Sequence, residues 1–273
     1  MRKGWLAVKK GDLVYQQYLN ILREELRPAM GCTEPIALAL AGAKARQLLG
    51  ALPDRVEVLV SGNIIKNVKS VIVPNTGGLH GIGPAVCAGI VAGDPAKELQ
   101  VISEVTPEQR EQLKQFMDTV PVQIHPAPSE LVFDIDLTLC KGTDRARLRV
   151  INHHTNLVYM EKNGEVLLDL PICESSEDRL TDKSCLNIEK IVEFADAVEI
   201  ADIRACIGQQ IRCNMAIAEE GIRGNWGANI GSVLLNRQGE LLSKQAAAYA
   251  AAGSDARMSG CEMPVIILSG SGN

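Results

Sequence analysis

Aromatic side chains are scarce in this 273-residue chain: two Trp, four Tyr and three Phe, or 3% of the residues. Packing must therefore rest on Leu, Ile, Val and Ala, and a hydrophobic content of 46% supplies enough of them for a real core. Basic charge is also short. Lys and Arg number 28 against 33 Asp and Glu, a net charge of -5, so the electrostatic footprint of a nucleic-acid binder is missing. No run approaches the ~18 apolar residues of a membrane span. The N-terminus has no apolar stretch followed by a small-residue cleavage site. Neither nucleic acid nor a membrane is expected as a partner. Eight cysteines are present but scattered, with no dense framework, in a chain far longer than disulfide-stapled domains; a reducing cytoplasm is the simpler reading. Cofactor signatures are missing too. The glycines of residues 77–83 lack the Gly-x-Gly-x-x-Gly spacing and the later acidic partner of a dinucleotide site. There is no Walker lysine, and no lysine stands in a signature for pyridoxal phosphate.

What is present is organised as helical stretches around a β segment. Tyr15, Tyr18, Leu19, Leu22 and Leu26 keep a helical rhythm, which predicts an amphipathic helix over residues 15–29, ended or bent by Pro28. Residues 33–49 read as a second helix, apolar nearly all round and hence buried, with Thr33 suited to the N-cap and Gly50 closing it. Residues 56–60 read as a strand, Ser61-Gly62-Asn63 as a turn, and residues 68–73 as another extended run. A Gly-rich loop follows at 74–84, then an apolar helix at 85–92 and helical sequence at 95–118, with Pro107 and Glu108 opening its later part.

Period two takes over after Pro121. Phe133, Ile135, Leu137 and Leu139 alternate with Asp134, Asp136 and Thr138, and Asn163-Gly164 signals a hairpin. Asp134 and Asp136 are placed to face Arg147 and Arg149 across strands. Helical rhythm returns at 186–198 and 203–211, a second Gly-rich loop is expected at 221–231, and an Ala-rich helix at 244–252 runs into Ser254. The fold class is α+β: a mainly helical catalytic part from residues 1–120 and 173–273, with a small antiparallel β insert at 121–172. The chain stops on Ser269-Gly270-Ser271-Gly272-Asn273, directly after an apolar run, which reads as a fragment of a longer protein.

Cys32 is the most pointed candidate for chemistry. It stands at the junction of two helical stretches, where the positive end of a helix macrodipole favours thiolate. The same position also suits a small buried hydrophobe. Cys261 follows Ser259-Gly260, and alone it holds neither zinc nor a cluster, since such sites want about three or four ligands. Cys206 and Cys213 share one helix face about 10 Å apart and read as core, as do Cys87 and Cys140; Cys173 and Cys185 flank a polar loop without a role. Of His153 and His154, at most one serves any site if the segment is a strand. His80, in the Gly-rich loop, can reach a substrate carboxylate.

Gly31-Cys32-Thr33-Glu34-Pro35, Ser61-Gly62-Asn63 through Lys66-Asn67, His154-Thr155-Asn156, Ser254-Asp255-Ala256-Arg257-Met258 and Ser269-Gly270-Ser271-Gly272-Asn273 resemble, in order and spacing, the L-cysteine desulfidase family. That family is related to the iron–sulfur-dependent L-serine dehydratase alpha chains. The resemblance implies a cytoplasmic lyase. Its reaction is α,β-elimination of L-cysteine to pyruvate, ammonia and hydrogen sulfide, with a 4Fe-4S cluster whose open iron is the Lewis acid. L-serine dehydratase is the alternative, and a non-catalytic amino-acid-binding protein of the same fold is a second. The resemblance makes Cys32 the residue that moves the α-proton and Cys261 the first cluster ligand. Glu34, Ser61, Asn63, His80, Asn156, Asp255 and Arg257 become the substrate-binding set. The other cluster ligands are expected beyond Asn273, so this chain is expected to be inactive and without its cluster. A homodimer is compatible with the sequence, and no feature decides it.

Overall fold

A computed structural model describes residues 8–172, 181–238 and 241–268; Cys173 and the terminal motif at 269–273 lie outside them. Helix α1 spans Leu13–Glu25 and turns Tyr15, Tyr18 and Leu19 inward. The two tyrosines meet Phe194 edge-on, at ring-centroid distances of 5.3 and 5.2 Å. The helix stops earlier than its rhythm predicts. Residues Leu26–Met30 are instead a strand, β1, paired antiparallel with the final strand β8, Pro264–Leu268. Pro28 has no N–H to give a helix, whereas an edge strand tolerates it.

Helix α2, Thr33–Leu49, is buried on most sides as expected, and Gly50 closes it in the left-handed conformation with φ 84°. The expected turn at Ser61-Gly62-Asn63 is a helix start: Ser61 is the N-cap of α3, Gly62–Val68, which follows strand β2, Arg55–Val60. Of the extended run expected at 68–73, only Ile72 forms a bridge, with His80. Helix α4, Ile82–Ala92, lies against α2 with backbones almost touching, since a methyl on Gly89 would overlap the Ala39 carbonyl and one on Gly42 the Val86 carbonyl. A 3-10 turn, Pro95–Gln100, leads to α5, Pro107–Thr119, opened by a reciprocal Thr106–Gln109 cap.

The sheet contains β3 (Val122–Pro126), β4 (Asp134–Lys141), β5 (Asp144–Ile151), β6 (Leu157–Lys162) and β7 (Glu165–Asp169). It reaches beyond residues 121–172, because β2 lies inside it in the order β3-β2-β4-β5-β6-β7. It is also not wholly antiparallel: β2 and β3 run parallel. Val56, Val58, Ile135, Leu137 and Leu148 belong to the buried core that also takes in α2 and α4. On β4, the carboxylates of Asp136 and Asp134 each take two hydrogen bonds from Arg147 and Arg149, at 2.7 and 2.9 Å. The pairs are diagonal, since the register sets Asp136 opposite Arg149. The hairpin falls at Asn163 and Gly164, whose φ values of 53° and 86° are both positive, as its turn type requires.

The remaining elements are α6 (Ile188–Ala197), α7 (Ile200–Ile203), α8 (Cys206–Arg223), α9 (Ile230–Gln238) and α10 (Leu242–Met258). The Gly-rich loop expected at 221–231 shrinks accordingly. Gly221 lies inside α8, where a side chain would overlap the Ala252 carbonyl of α10, and Gly231 lies inside α9. These glycines serve close helix packing, not a loop. Among the described residues no helix is long and apolar enough to cross a membrane.

Candidate active site

The site begins at the bend between β1 and α2. Gly31 takes φ +68°, and a Cβ there would stand 2.5 Å from Pro74 Cγ. Both conditions call for glycine. The bend makes Cys32, not Thr33, the N-cap residue of α2, with φ -74° and ψ 135°. Its thiol caps no backbone N–H. Instead Cys32 Sγ donates to Glu34 Oε2 at 3.0 Å. Thr33 Oγ1 donates to the same oxygen at 3.2 Å, and Asn67 Nδ2, carried by α3, donates to Glu34 Oε1 at 3.3 Å. From the last turn of α10, Arg257 Nε donates to the Gly31 carbonyl at 2.9 Å. Arg257 is only 7% exposed and its charge acts on both Cys32 and Glu34. From the loop between β5 and β6, His154 faces the charge of Glu34, with its ring edge-on to Phe133 at 4.8 Å.

Electrostatics reverse the expected state of the thiol. Cys32 is 4% exposed. Burial, then the Glu34 carboxylate, push the thiol up to about 12. The helix dipole that favours thiolate is outweighed by desolvation and by an anion 3.0 Å away. At neutral pH Cys32 is a thiol, a hydrogen-bond donor. Burial also works against the charge on Glu34, yet bonds from Cys32, its own backbone N–H and Asn67, with the charge of His154, bring it below the usual carboxylate range. Burial lowers His154, and the charge of Glu34 works against that shift. Burial lowers Arg257, and the Glu34 carboxylate acts to restore it. The centre thus holds one carboxylate and one guanidinium, with a neutral thiol whose proton points at the carboxylate.

The other sequence candidates are spread more widely. Ser61 is buried and donates to the Val132 carbonyl at 2.8 Å, tying α3 to the loop before β4. Asn63 is exposed on α3, and His80 is exposed in the Gly-rich loop. Asn156 Nδ2 donates to the Ile151 carbonyl at 3.0 Å and closes the loop that carries His154. Asp255 accepts from the Ile230 N–H at 2.9 Å and so holds the start of α9. Cys261 is buried beyond α10, its thiol raised by burial. Asn67 and His154 were missed as site residues. They lie in stretches that carry the family resemblance, and a helical reading of 61–68 sets Asn67 one turn after Asn63.

Among the described residues no three His, Cys, Asp or Glu side chains come together to hold a metal ion. A cluster asks for about three or four ligands. Cys261 offers one, while Cys206 and Cys213 lie along α8 and Cys87 is sealed in the core. The described residues do not by themselves make a cluster site.

Known proteins extend the picture. The family profile described as "Serine dehydratase alpha chain" matches residues 96–273, which takes in His154, Arg257 and Cys261. A UPF0597 protein of Desulfitobacterium hafniense is 50% identical over 268 residues, covering 98% of this chain and 62% of that protein. UPF0597 proteins of Fusobacterium nucleatum and Lachnoclostridium phytofermentans are each 44% identical, over 94% and 95% of this chain and 62% of their own lengths. The chain spans about three-fifths of the length of these curated relatives. No solved structure matches it. With two-thirds of its residues inside that profile, the chain belongs to the serine dehydratase alpha chain family.

Proposed function

We propose that the whole protein is a lyase that eliminates the β-substituent of a small L-amino acid, releasing pyruvate and ammonia. L-serine is the first substrate, on the strength of the family match. L-cysteine is the second, on the residues shared with cysteine desulfidases. The observation that carries the reading is the 3.0 Å hydrogen bond from Cys32 to Glu34, a proton donor and a proton acceptor held together under cover. Elimination must take a proton from Cα and deliver one to the leaving group. The Glu34 carboxylate takes the thiol proton. The Cys32 sulfur then takes the Cα proton as the Cβ–O bond breaks. The proton held on Glu34 leaves with the hydroxyl as water, and the thiol and carboxylate are restored. Aminoacrylate tautomerises to an imine and water hydrolyses it. A thiol held near 12 becomes a strong base once ionised, which suits a weak carbon acid. Arg257 steadies the bend through the Gly31 carbonyl and balances the charge of Glu34.

In this proposal an iron–sulfur cluster belongs to the complete enzyme. Cys261 supplies one ligand, and the others come from the portion of the longer relatives that this chain does not span. The test is pyruvate formation from L-serine and L-cysteine by the complete protein, reconstituted anaerobically. Cys32→Ser should lower turnover about 10²–10⁴-fold, the range of acid–base catalysis, and leave the cluster absorbance unchanged. Equal turnover in the variant removes Cys32 from the reaction.

A further inference from the structure

A groove of about 670 Å³ runs between α8 and α10, with β8 along it. Its walls are two rows of side chains at a spacing of four residues, the spacing of a ridge on a helix surface. On α8 the row is Ile211 and Met215, which are 58% and 44% exposed. On α10 it is Ala246, Ala250 and Ser254, all exposed. One wall is thus large and apolar, the other small and flat. Elsewhere α10 uses its small residues for close packing: Gly221 of α8 and Gly231 of α9 meet its Ala252 and Ala248 carbonyls with no room for a methyl. The row from Ala246 to Ser254 is built alike but faces solvent. The groove also belongs to a wider exposure. Of the nineteen large apolar side chains exposed among the described residues, twelve lie within 181–268, much the shorter part, and Leu268 joins Ile211 and Met215 in the groove lining. Scattered exposed side chains are ordinary, whereas an apolar groove marks an interaction surface.

The edge of β8 says what kind of segment fits. The register sets Ile266 opposite Pro28, which has no N–H to give, and the Ile266 backbone groups point away from β1. Asn214 of α8 meets both of them. Its Nδ2 donates to the Ile266 carbonyl at 3.1 Å, and its Oδ1 accepts from the Ile266 N–H at 2.9 Å. A side-chain amide therefore stands where an added strand would pair. A helix seated between the two rows does not need that place.

We infer that an amphipathic helix occupies this groove, and that it comes from the portion of the protein that the longer relatives carry and this chain does not span. The chain covers 62% of those relatives, so close to two-fifths of each lies outside it. That is ample for an ordinary helix of about 10–14 residues. Tethering favours this source over a second copy, because a linked segment meets the groove at an effective concentration on the order of mM. The helix presents apolar residues at helical spacing to Ile211 and Met215, with its backbone close to Ala250. Its seat extends to Arg257, which lines the groove and also holds the Gly31 carbonyl. The docking claim stands on the groove and asks nothing of the Cys32–Glu34 pair.

The test is alkylation of the complete protein carrying Met215→Cys or Ala250→Cys, read by peptide mass spectrometry. Lys114→Cys, at an exposed position of α5, is the reference. Both groove cysteines should react at least about tenfold more slowly than the reference, because the helix must open first, and dilution should leave the ratio unchanged. Hydroxyl-radical oxidation of Met215 in the unmodified protein checks the same protection without a substitution. A photo-crosslinking residue in place of Ile211 should join a peptide from outside residues 1–273, within one chain, and that peptide should have helical apolar spacing. Groove cysteines as reactive as the reference overturn the proposal. So do protection lost on dilution, which means a second copy, a crosslink confined to residues 1–273, and a linked peptide with the alternating pattern of a strand. Pyruvate assays on the same protein keep the two readings apart. A protected groove without turnover sinks the lyase and keeps the helix, while turnover with an open groove does the reverse.

Discussion

The hydrogen bond between Cys32 and Glu34 makes a quantitative claim about thiol reactivity. Replacing Glu34 with Gln keeps the shape and an acceptor oxygen but removes the charge. A hydrogen bond to an ionised partner contributes about 1.5–3 kcal/mol, and about 1.4 kcal/mol corresponds to one pKa unit. Cys32 stands at about 12 with the carboxylate in place. In Glu34→Gln its titration should therefore fall by roughly 1–2 units, since the bond now ends on a neutral amide. It should remain above the ordinary thiol value, because burial, the larger cause, is untouched. At any pH between 7 and 9 the thiolate fraction then rises about 10- to 100-fold. The assay is iodoacetamide alkylation of Cys32, followed by peptide mass spectrometry across that range. Cys87, equally buried but with burial as its sole cause of shift, is the internal reference and should keep its rate. If the Cys32 profile is the same in wild type and Glu34→Gln, or moves to higher pH in the variant, the dyad is wrong.

Three further outcomes follow from the packing and the charges. Cys32 and Cys87 both stand at about 12 when folded and near 9 when unfolded, so the native state keeps protons that the unfolded chain loses. Stability is therefore full below pH 9 and falls as the pH rises toward 12. Each thiol contributes a slope of about 1.4 kcal/mol per pH unit. Urea midpoints of wild type and Cys87→Ala should converge by that slope over the window. Gly89→Ala forces a methyl onto the Ala39 carbonyl, a rigid backbone atom, and should cost about 3 kcal/mol. A fall in Tm of roughly 6–12 °C is the expected reading. Asp255→Ala removes the acceptor for the Ile230 N–H and should cost about 1 kcal/mol, or roughly 2–4 °C. No change in Tm would mean that α9 does not need that bond.

Legibility in the sequence tracked how local the cause was. Helix α2, the Asn163-Gly164 hairpin, the paired Asp–Arg ladder and the Ala-rich helix at 244–252 all rest on neighbours within a few residues or on adjacent strands, and all were readable, although that last helix continues through Ser254 to Met258. Strand β1 was not. Leu26 to Met30 continue the rhythm of α1, and what makes them a strand is β8, more than two hundred residues later. Gly221 and Gly231 misled for a related reason, since their small size answers to α10 and not to a loop. The site was half legible. The bend before α2 pointed to Cys32. Its ionisation depended on burial and on the rotamer of Glu34, which the chain order does not display. His154 becomes a site residue only when the loop between β5 and β6 folds down beside α2.

The pairing of β1 with β8 sets a schedule for biogenesis. Met30 sits opposite Pro264, so this clasp closes a loop of over 230 residues. Closing it costs about 5 kcal/mol of chain entropy. On a ribosome adding about 5–20 residues per second, the Arg257 segment emerges some 10–50 s after Cys32. Until then the Cys32 bend has no guanidinium on its carbonyl, and α2 must form without the cation that balances Glu34. A nascent chain should thus carry an accessible Cys32 that becomes protected only late in synthesis, when the last described strand docks beside the first.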